Sequence, residues 1–143
     1  MKLWFNLFCR DVQAQMRFYA DLLGWPEAVA SRSPIYRALA SEGVQFGFNA
    51  LPAYALLGLA ERQPAPDAGL APVTAYATFM LDSPAAVDAA TVGAPALGGG
   101  VVKAPYATYY GQWQAVLHDP EGHVFRVSVQ QLPDGAAPAA PPR

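Results

Sequence analysis

The residues best suited to chemistry in this chain lie around one turn near its C-terminal end. His118 and His123, the only histidines, flank the segment Asp119-Pro-Glu-Gly122. Imidazole and carboxylate groups at this spacing could bind a divalent metal, with Asp119 or Glu121 completing the ligand set. The alternative is a solvated hairpin tip, because Asp and Pro begin turns and Gly supplies the positive φ that a turn needs. We favour the hairpin tip, and two histidines at a single turn give no basis for a Ser/His/Asp triad.

The segments on both sides of this turn have the composition of strands. Residues 113–117 and 124–130 are rich in aromatic and β-branched residues. Strand side chains alternate between two faces, so one face of the second segment is uniformly apolar and the other is mixed. The mixed face consists of Val124, Arg126 and Ser128. Arg126 is therefore a cation on a strand face that is otherwise neutral.

Composition limits the class of protein. Of the 143 residues, 53% are hydrophobic and 14% are charged, which predicts a folded domain with a core rather than a disordered chain. The net charge of −2 and the lack of any run of Lys and Arg give no reason to expect nucleic acid as a partner. No apolar segment approaches the ~20 residues of a membrane span. The first residues resemble a signal peptide only faintly, without a small-residue cleavage site, so we expect a cytoplasmic protein.

The first half of the chain predicts a strand, a helix and three further strands within residues 1–52. Residues 3–9 predict a strand with one fully apolar face, formed by alternate residues from Leu3 to Cys9, and Asp11 then caps a helix that Gly24 ends. Further strands are expected at Ala28–Ala30, Ile35–Ala40 and Val44–Asn49. Cys9 is the only cysteine, so it can form no internal disulfide, and we interpret it as a small buried apolar residue.

The second half repeats this order within residues 73–131. Residues 53–72 contain several Pro and Gly and are predicted to be a linker, with a short helical turn at its start. A strand at 73–81 precedes a helix that Ser83 caps, with Pro84 at its first position. Three strands follow near residues 101–103, 113–117 and 124–130. Residues 132–143 are mostly Pro, Ala and Gly, and we expect them to be disordered.

This repeated unit resembles that of a known superfamily. The chain is similar to the vicinal oxygen chelate superfamily, which includes glyoxalase I, extradiol dioxygenases and bleomycin-resistance proteins. The resemblance covers residues 1–130 and implies an α+β fold of two βαβββ modules, whose curled mixed sheets form a cup. Many members are homodimers, so we expect a homodimer here. The matching motifs are Asp11 with Phe18-Tyr-Ala-Asp-Leu-Leu-Gly-Trp25, Ser83-Pro-Ala-Ala-Val-Asp88, Gly99-Gly-Val-Val-Lys103 and Asp119-Pro-Glu-Gly-His123.

The resemblance also defines where a metal would be bound. Enzymes of the superfamily hold a divalent metal through one residue of the first and one of the last strand in each module, usually His, Gln or Glu. Counted from the helix caps and turn glycines, these positions are Trp4, Gly47, Tyr76 and Arg126. None is a suitable ligand, because Trp only donates hydrogen bonds, Gly has no side chain and Arg is cationic. We therefore expect neither a metal nor another cofactor.

The same positions predict the lining of the cup. Large aromatic residues there either fill the cup or form the walls of a ligand pocket. No carboxylate falls at a predicted cup position, and an unpaired cation is costly there unless an anionic group or water meets it. We hypothesise that Arg126 binds a carboxylate or another electron-rich group of a planar ligand, stacked between Trp4 and Tyr76. The predicted ligand-binding residues are Trp4, Asn6, Phe8, Gln45, Tyr76, Thr78, Met80, Tyr110, Trp113, Arg126 and Ser128.

Three functions remain open from the sequence. The first is a metal-independent protein that binds a small planar or anionic molecule, like the bleomycin-resistance type. The second is a glyoxalase-like lyase, isomerase or dioxygenase with an atypical metal or an acid/base group such as Tyr76. The third is a structural dimer without a ligand. The aromatic cluster of Tyr106, Tyr109, Tyr110 and Trp113 is expected to form a rim over the cup or part of a dimer contact.

Overall fold

The chain forms two compact units, Met1–Pro72 and Val73–Arg143. The computed structural model describes residues 1–143 and contains seven strands, three α-helices and two short 3-10 turns. None of the helices combines the length and the hydropathy that crossing a membrane requires.

The first unit is a three-stranded sheet with one long helix. The helix α1 (Val12–Leu23) begins at Asp11, whose carboxylate accepts hydrogen bonds from two backbone N–H groups of the first turn. It ends at Gly24, which has a φ of 71° that only glycine adopts without cost. Both ends agree with the sequence prediction. The strands are β1 (Leu3–Cys9), β2 (Tyr36–Ser41) and β3 (Val44–Ala50). Their order in the sheet is β1-β3-β2, with β1 parallel and β2 antiparallel to β3.

An aromatic cluster forms the core of the first unit. Tyr19 from α1 packs on Phe46 and Phe48 from β3, with ring centroids 4.8 and 5.6 Å away. All three residues are almost fully buried. Cys9 is buried beside them in β1, and its thiol donates to the Asn49 carbonyl oxygen at 3.6 Å. The interpretation of Cys9 as a buried apolar residue is confirmed.

Apart from its sheet and α1, the first unit contains only short helical turns. The strand predicted at Ala28–Ala30 is wrong, because a 3-10 turn occupies Val29–Ser31. The preceding residues follow β2 through just two backbone hydrogen bonds, from Ala28 N–H to Ala38 and from Ala40 N–H to Pro26. A short alanine-rich segment has little side chain to bury on a sheet, so it does not extend into a strand. Residues 53–72 contain the helix α2 (Ala53–Leu56) and a second 3-10 turn at Ala60–Arg62.

The second unit is a four-stranded sheet with one long helix. The helix α3 (Pro84–Ala96) begins after Ser83, whose hydroxyl accepts a hydrogen bond from the Ala86 N–H at 3.1 Å. Val87, Ala94, Phe125 and Val127 are buried in the core of this unit. The strands are β4 (Ala77–Met80), β5 (Gly100–Ala107), β6 (Trp113–His118) and β7 (Val124–Val129). Their order in the sheet is β4-β7-β6-β5, and only the β4–β7 pair is parallel.

Two strands of the second unit differ in length from the prediction. The strand expected at 73–81 is formed only from Ala77, which pairs with Phe125 near the start of β7. In this parallel register, residues before Tyr76 would lie opposite the turn that precedes β7, so the strand does not extend back to residue 73. In contrast, β5 runs on to Ala107 through Pro105, because it is an edge strand with two register shifts.

The two units repeat the same strand pairing. In the first unit Asn6 of β1 lies opposite Gly47 of β3, and in the second Thr78 of β4 lies opposite Arg126 of β7. Each pair joins the first and last strands of its unit in parallel. Gly47 and Arg126 are therefore equivalent positions, as the offsets from the turn glycines predict. Residues 132–143 contain no helix or strand, and their disorder stays a prediction.

Candidate functional site

The turn between β6 and β7 is organised by one buried carboxylate. Asp119 is fully buried, and its Oδ1 accepts hydrogen bonds from the backbone N–H groups of Glu121 and His123. His123 Nδ1 lies 2.9 Å from Asp119 Oδ2, and His118 Nδ1 lies 2.9 Å from the Asp119 carbonyl oxygen. The tip is thus a hydrogen-bonded turn rather than a solvated loop. No group of three His, Cys, Asp or Glu side chains is placed to hold a metal ion.

Arg126 lies on the face of the second sheet that carries the polar residues. Its Nε donates to Thr78 Oγ1 at 2.9 Å, across the pair of strands β4 and β7. Its Nη1 donates to the Tyr110 hydroxyl at 3.3 Å. The guanidinium carbon is 5.1 Å from the centre of the Tyr76 ring, within the range of a cation–π contact. Both tyrosines are about half exposed, and Arg126 itself is partly exposed.

A chain of hydrogen bonds holds Tyr110 against this face. The Tyr110 hydroxyl donates to Gln114 Oε1 at 2.9 Å, and Gln114 Nε2 donates to the Tyr106 hydroxyl. The loop that carries Tyr110 is closed by Thr108, whose hydroxyl accepts from the Gln112 N–H at 2.8 Å. The loop is therefore fixed by bonds to both its backbone and its side chains. Of the tyrosines predicted to form a rim, Tyr110 is the one that reaches Arg126.

Arg126 has no carboxylate partner. Ion pairs join Arg32 and Arg37 to Glu27, whereas Arg126 takes part in none. A guanidinium has five N–H donors, and the hydrogen bonds of Arg126 use one on Nε and one on Nη1. Nη2 therefore keeps both of its donors for a group outside the chain. A carboxylate is the acceptor whose geometry and charge fit such a fork best.

The equivalent position in the first unit is closed by side chains. Asn6 and Tyr36 meet over Gly47, where the Tyr36 hydroxyl donates to Asn6 Oδ1 at 2.8 Å. Gln45 Nε2 donates to the same hydroxyl at 3.1 Å, and Ser31 donates to Gln45 Oε1 at 3.2 Å. A Cβ atom at position 47 would overlap both Asn6 and Tyr36. The glycine is thus required by the close approach of two bonded side chains.

The other predicted residues of the first unit differ in exposure. Trp4 is 57% exposed and borders an open groove of about 320 Å³ that also contacts the turn between β2 and β3. Phe8 stacks on Tyr54 with ring centroids 3.7 Å apart, and burial raises the pKa of the Tyr54 phenol. The stacking of a ligand between Trp4 and Tyr76 stays a prediction.

Two predicted residues of the second unit are not beside Arg126. Trp113 alternates with Gln114 along β6 and so lies on the opposite face, where its indole N–H donates to Asp88 of α3 at 2.8 Å. Ser128 shares the face of Arg126 but is fully buried, and its hydroxyl donates to Gln112 Oε1 at 2.7 Å. Thr78, Tyr76 and Tyr110 contact Arg126 directly, and Met80 is a half-exposed residue of the same face.

Sequence reasoning missed several polar residues of these two faces. Gln114 and Tyr36 are central to their networks, but neither was among the predicted site residues. Alternation along residues 113–117 places Gln114 on the face away from Trp113, and that signal was available. Nothing in the sequence indicates that Tyr36 reaches across β3 to Asn6, because this depends on the register of three strands.

Comparison with known proteins identifies the class to which this fold and site belong. Residues 3–128 match the family described as "Glyoxalase-like domain", so the chain belongs to the glyoxalase-like domain family of the vicinal oxygen chelate superfamily. A glyoxalase/bleomycin resistance protein/dioxygenase family enzyme from Burkholderia phytofirmans PsJN is 39% identical, with a TM-score of 0.81 over 88% of this chain and 95% of that chain. The predicted superfamily and α+β fold are confirmed.

More distant structures share the fold alone. A glyoxalase-related enzyme from Fulvimarina pelagi is 19% identical, with a TM-score of 0.69 over 90% of this chain and 87% of that chain. A lactoylglutathione lyase from Agrobacterium tumefaciens is 18% identical, with a TM-score of 0.62 over 90% of this chain and 92% of that chain. A search of curated proteins found no match.

The residues at the superfamily's metal positions do not fit a metal. In the first unit, Trp4 offers an indole N–H, and Gly47 is covered by the Asn6–Tyr36 hydrogen bond. In the second unit, Arg126 puts a positive charge where a metal ligand would be, beside Tyr76. A guanidinium repels a metal ion and donates no lone pair to it. The donor set of these four positions is therefore unsuited to a divalent cation.

Proposed function

We propose that this protein binds a small planar organic acid at Arg126, without a metal. The observation that carries the proposal is a half-buried guanidinium with no carboxylate partner and with both Nη2 donors unused by the chain. Removing a cation partly from water is unfavourable unless an anion or water compensates for it. A carboxylate of a ligand would form the charge-assisted hydrogen bonds that the chain itself does not supply.

The planar shape of the ligand follows from the aromatic residues around Arg126. Tyr76 and Tyr110 are about half exposed, and the Tyr76 ring and the Tyr110 hydroxyl both contact the guanidinium. A flat ligand can stack on such rings while its acidic group reaches Arg126. The Tyr110 loop is held by Gln114 and Thr108, so little ordering of the protein would oppose binding.

A thermal-shift experiment with planar aromatic carboxylic acids tests this function in buffer that contains a chelator. A ligand that binds only the folded protein raises its melting temperature, by several degrees when the ligand is present at about 100 times its Kd. The methyl esters of the same acids are the matched control, because they keep the ring and lose the charge. We expect the acids, and not the esters, to stabilise the protein. Stabilisation by neither series would refute the proposal.

An enzyme of the lyase, isomerase or dioxygenase type is the second candidate function. It is favoured by the description of the 39% identical Burkholderia protein as a family enzyme. Such chemistry would need a metal at atypical ligands or an acid/base group such as Tyr76. Metal analysis of untagged protein separates the two functions, since one equivalent of a transition metal per chain would support the enzyme. The homodimer and the cytoplasmic location stay predictions.

A further inference from the structure

A second cation, Lys103, lies in the same row as Arg126, where a row is the set of residues that pair with one another across the strands of the second sheet. Lys103 of β5 pairs with Val116 of β6, Val116 pairs with Arg126 of β7, and Arg126 pairs with Thr78 of β4. The row therefore has a cation at each of two positions and an apolar residue between them. Adjacent strands are ~4.8 Å apart, so the two cationic residues are separated by about 10 Å at the backbone.

Side-chain contacts place both cations on one face. The Lys103 ammonium lies 3.6 Å from the centre of the Tyr106 ring, in a cation–π contact. The Tyr106 hydroxyl accepts a hydrogen bond from Gln114, which accepts one from Tyr110, and Tyr110 contacts Arg126. A continuous series of polar contacts thus joins the two cations across the sheet.

The two cations are held apart rather than directed at a common point. Arg126 Nε is bonded to Thr78 on the β4 side, whereas the Lys103 ammonium is over Tyr106 on the β5 side. Neither cation takes part in an ion pair. A single carboxylate at Arg126 would leave Lys103 without a counter-charge on this face.

We propose that the ligand of this face is a dianion with an acidic group at each end and a flat apolar body. One acidic group would bind Arg126, the other would bind Lys103, and the body would cover Val116. This inference rests on the proposed function and narrows it to dicarboxylic acids of planar molecules. The competing explanation is that Lys103 only protects the edge strand β5 from pairing with another chain.

Equilibrium binding of two matched compounds tests the inference. The compounds are a naphthalene dicarboxylate with its acids at opposite ends and the naphthalene monocarboxylate, both measured by calorimetry in chelator. An exposed ion pair contributes up to ~1 kcal/mol, so we expect the dicarboxylate to bind about five times more tightly at low salt. Lys103→Met should reduce this preference to no more than the roughly twofold factor that two equivalent acids give, and should leave the affinity for the monocarboxylate unchanged. Lys2→Met removes the only other lysine of the chain, in the first unit, and should leave both affinities unchanged.

The outcomes separate this inference from the proposed function. Equal affinity of the wild type for the two compounds, or a roughly fivefold preference that persists in Lys103→Met, would overturn the dianion and leave the Arg126 site intact. Loss of both affinities in Lys103→Met to the same extent would also overturn it. If neither compound binds the wild type, the proposed function fails together with the inference.

Discussion

Replacing Gly47 with alanine tests how the first unit closes the position that is equivalent to Arg126. The new Cβ would overlap Asn6 Oδ1 and the Tyr36 hydroxyl, which are joined by a 2.8 Å hydrogen bond. Both side chains would have to move, and Gly47 itself is buried at the centre of β3. The substitution therefore perturbs packing and hydrogen bonding at one point.

The expected cost of Gly47→Ala follows from three contributions. Overpacking a well-filled site typically costs about 1–3 kcal/mol. Breaking the Tyr36–Asn6 hydrogen bond costs about 1 kcal/mol. Alanine in place of glycine within a strand recovers about 0.5–1 kcal/mol of chain entropy. We expect the free energy of unfolding to fall by about 2 kcal/mol.

Urea denaturation followed by fluorescence measures this change, with two controls. Gly69→Ala places its Cβ where no atom lies within 4 Å, so it should change stability by less than about 0.5 kcal/mol. In the background Asn6→Ala with Tyr36→Ala, the overlap disappears and Gly47→Ala should become neutral or stabilising. A Gly47→Ala protein as stable as the wild type would refute the closed arrangement of Asn6 and Tyr36.

Three further substitutions test separate parts of the structure. Asp119→Ala removes a fully buried carboxylate that accepts several hydrogen bonds, and should lower the free energy of unfolding by about 3 kcal/mol in urea titrations. Arg32 donates a hydrogen bond to Glu27 that lowers the pKa of the Glu27 carboxyl group, and Glu27→Gln removes this charged partner. The wild type should be up to ~1 kcal/mol more stable than the variant at neutral pH, and this difference should vanish as the pH falls below about 4. Trp113→Phe loses the bond to Asp88 and should cost about 1 kcal/mol of stability, while the affinity for planar acids measured by calorimetry stays unchanged.

Each of these expectations has an outcome that contradicts it. An Asp119→Ala protein of native stability would show that the turn does not depend on the buried carboxylate. The sign of the Glu27 effect is fixed, because a carboxyl group whose pKa is lower in the folded state stabilises the fold above that pKa and not below it. A stability difference that grows in acid would therefore be contrary to this arrangement. A tenfold loss of affinity in Trp113→Phe would contradict the assignment of Trp113 to the face opposite Arg126.

Local chemistry made most of the fold predictable from the sequence. The caps at Asp11 and Ser83 and the turn at Gly122 depend on side-chain acceptors and positive φ, which a few neighbouring residues determine. The strand Leu3–Cys9 was predictable because its alternate residues form a fully apolar face, on which Phe5 packs against Phe46 and Cys9 is buried. These features need no knowledge of distant residues.

Features that depend on partners were not predictable. The strand from Ala77 is short because its neighbour β7 begins at Val124, and β5 is long because edge strands tolerate Pro105. The sequence placed Arg126 on the polar face but not the acceptors around it. The bonds of Tyr110 to Arg126 and Gln114 come from a loop whose position is set by Thr108 and Gln112, which alternation does not reveal.

Calorimetric titration of a planar aromatic acid into wild type and Arg126→Met, both in chelator, tests the central claim most directly. A charge-assisted hydrogen bond contributes about 1.5–3 kcal/mol, and the half-buried position of Arg126 favours the lower value, so we predict about tenfold weaker binding by the variant. Arg17→Met removes an exposed arginine of α1 and should leave the affinity unchanged. Equal affinity of the wild type and Arg126→Met, or binding that requires an added divalent metal, would contradict the account.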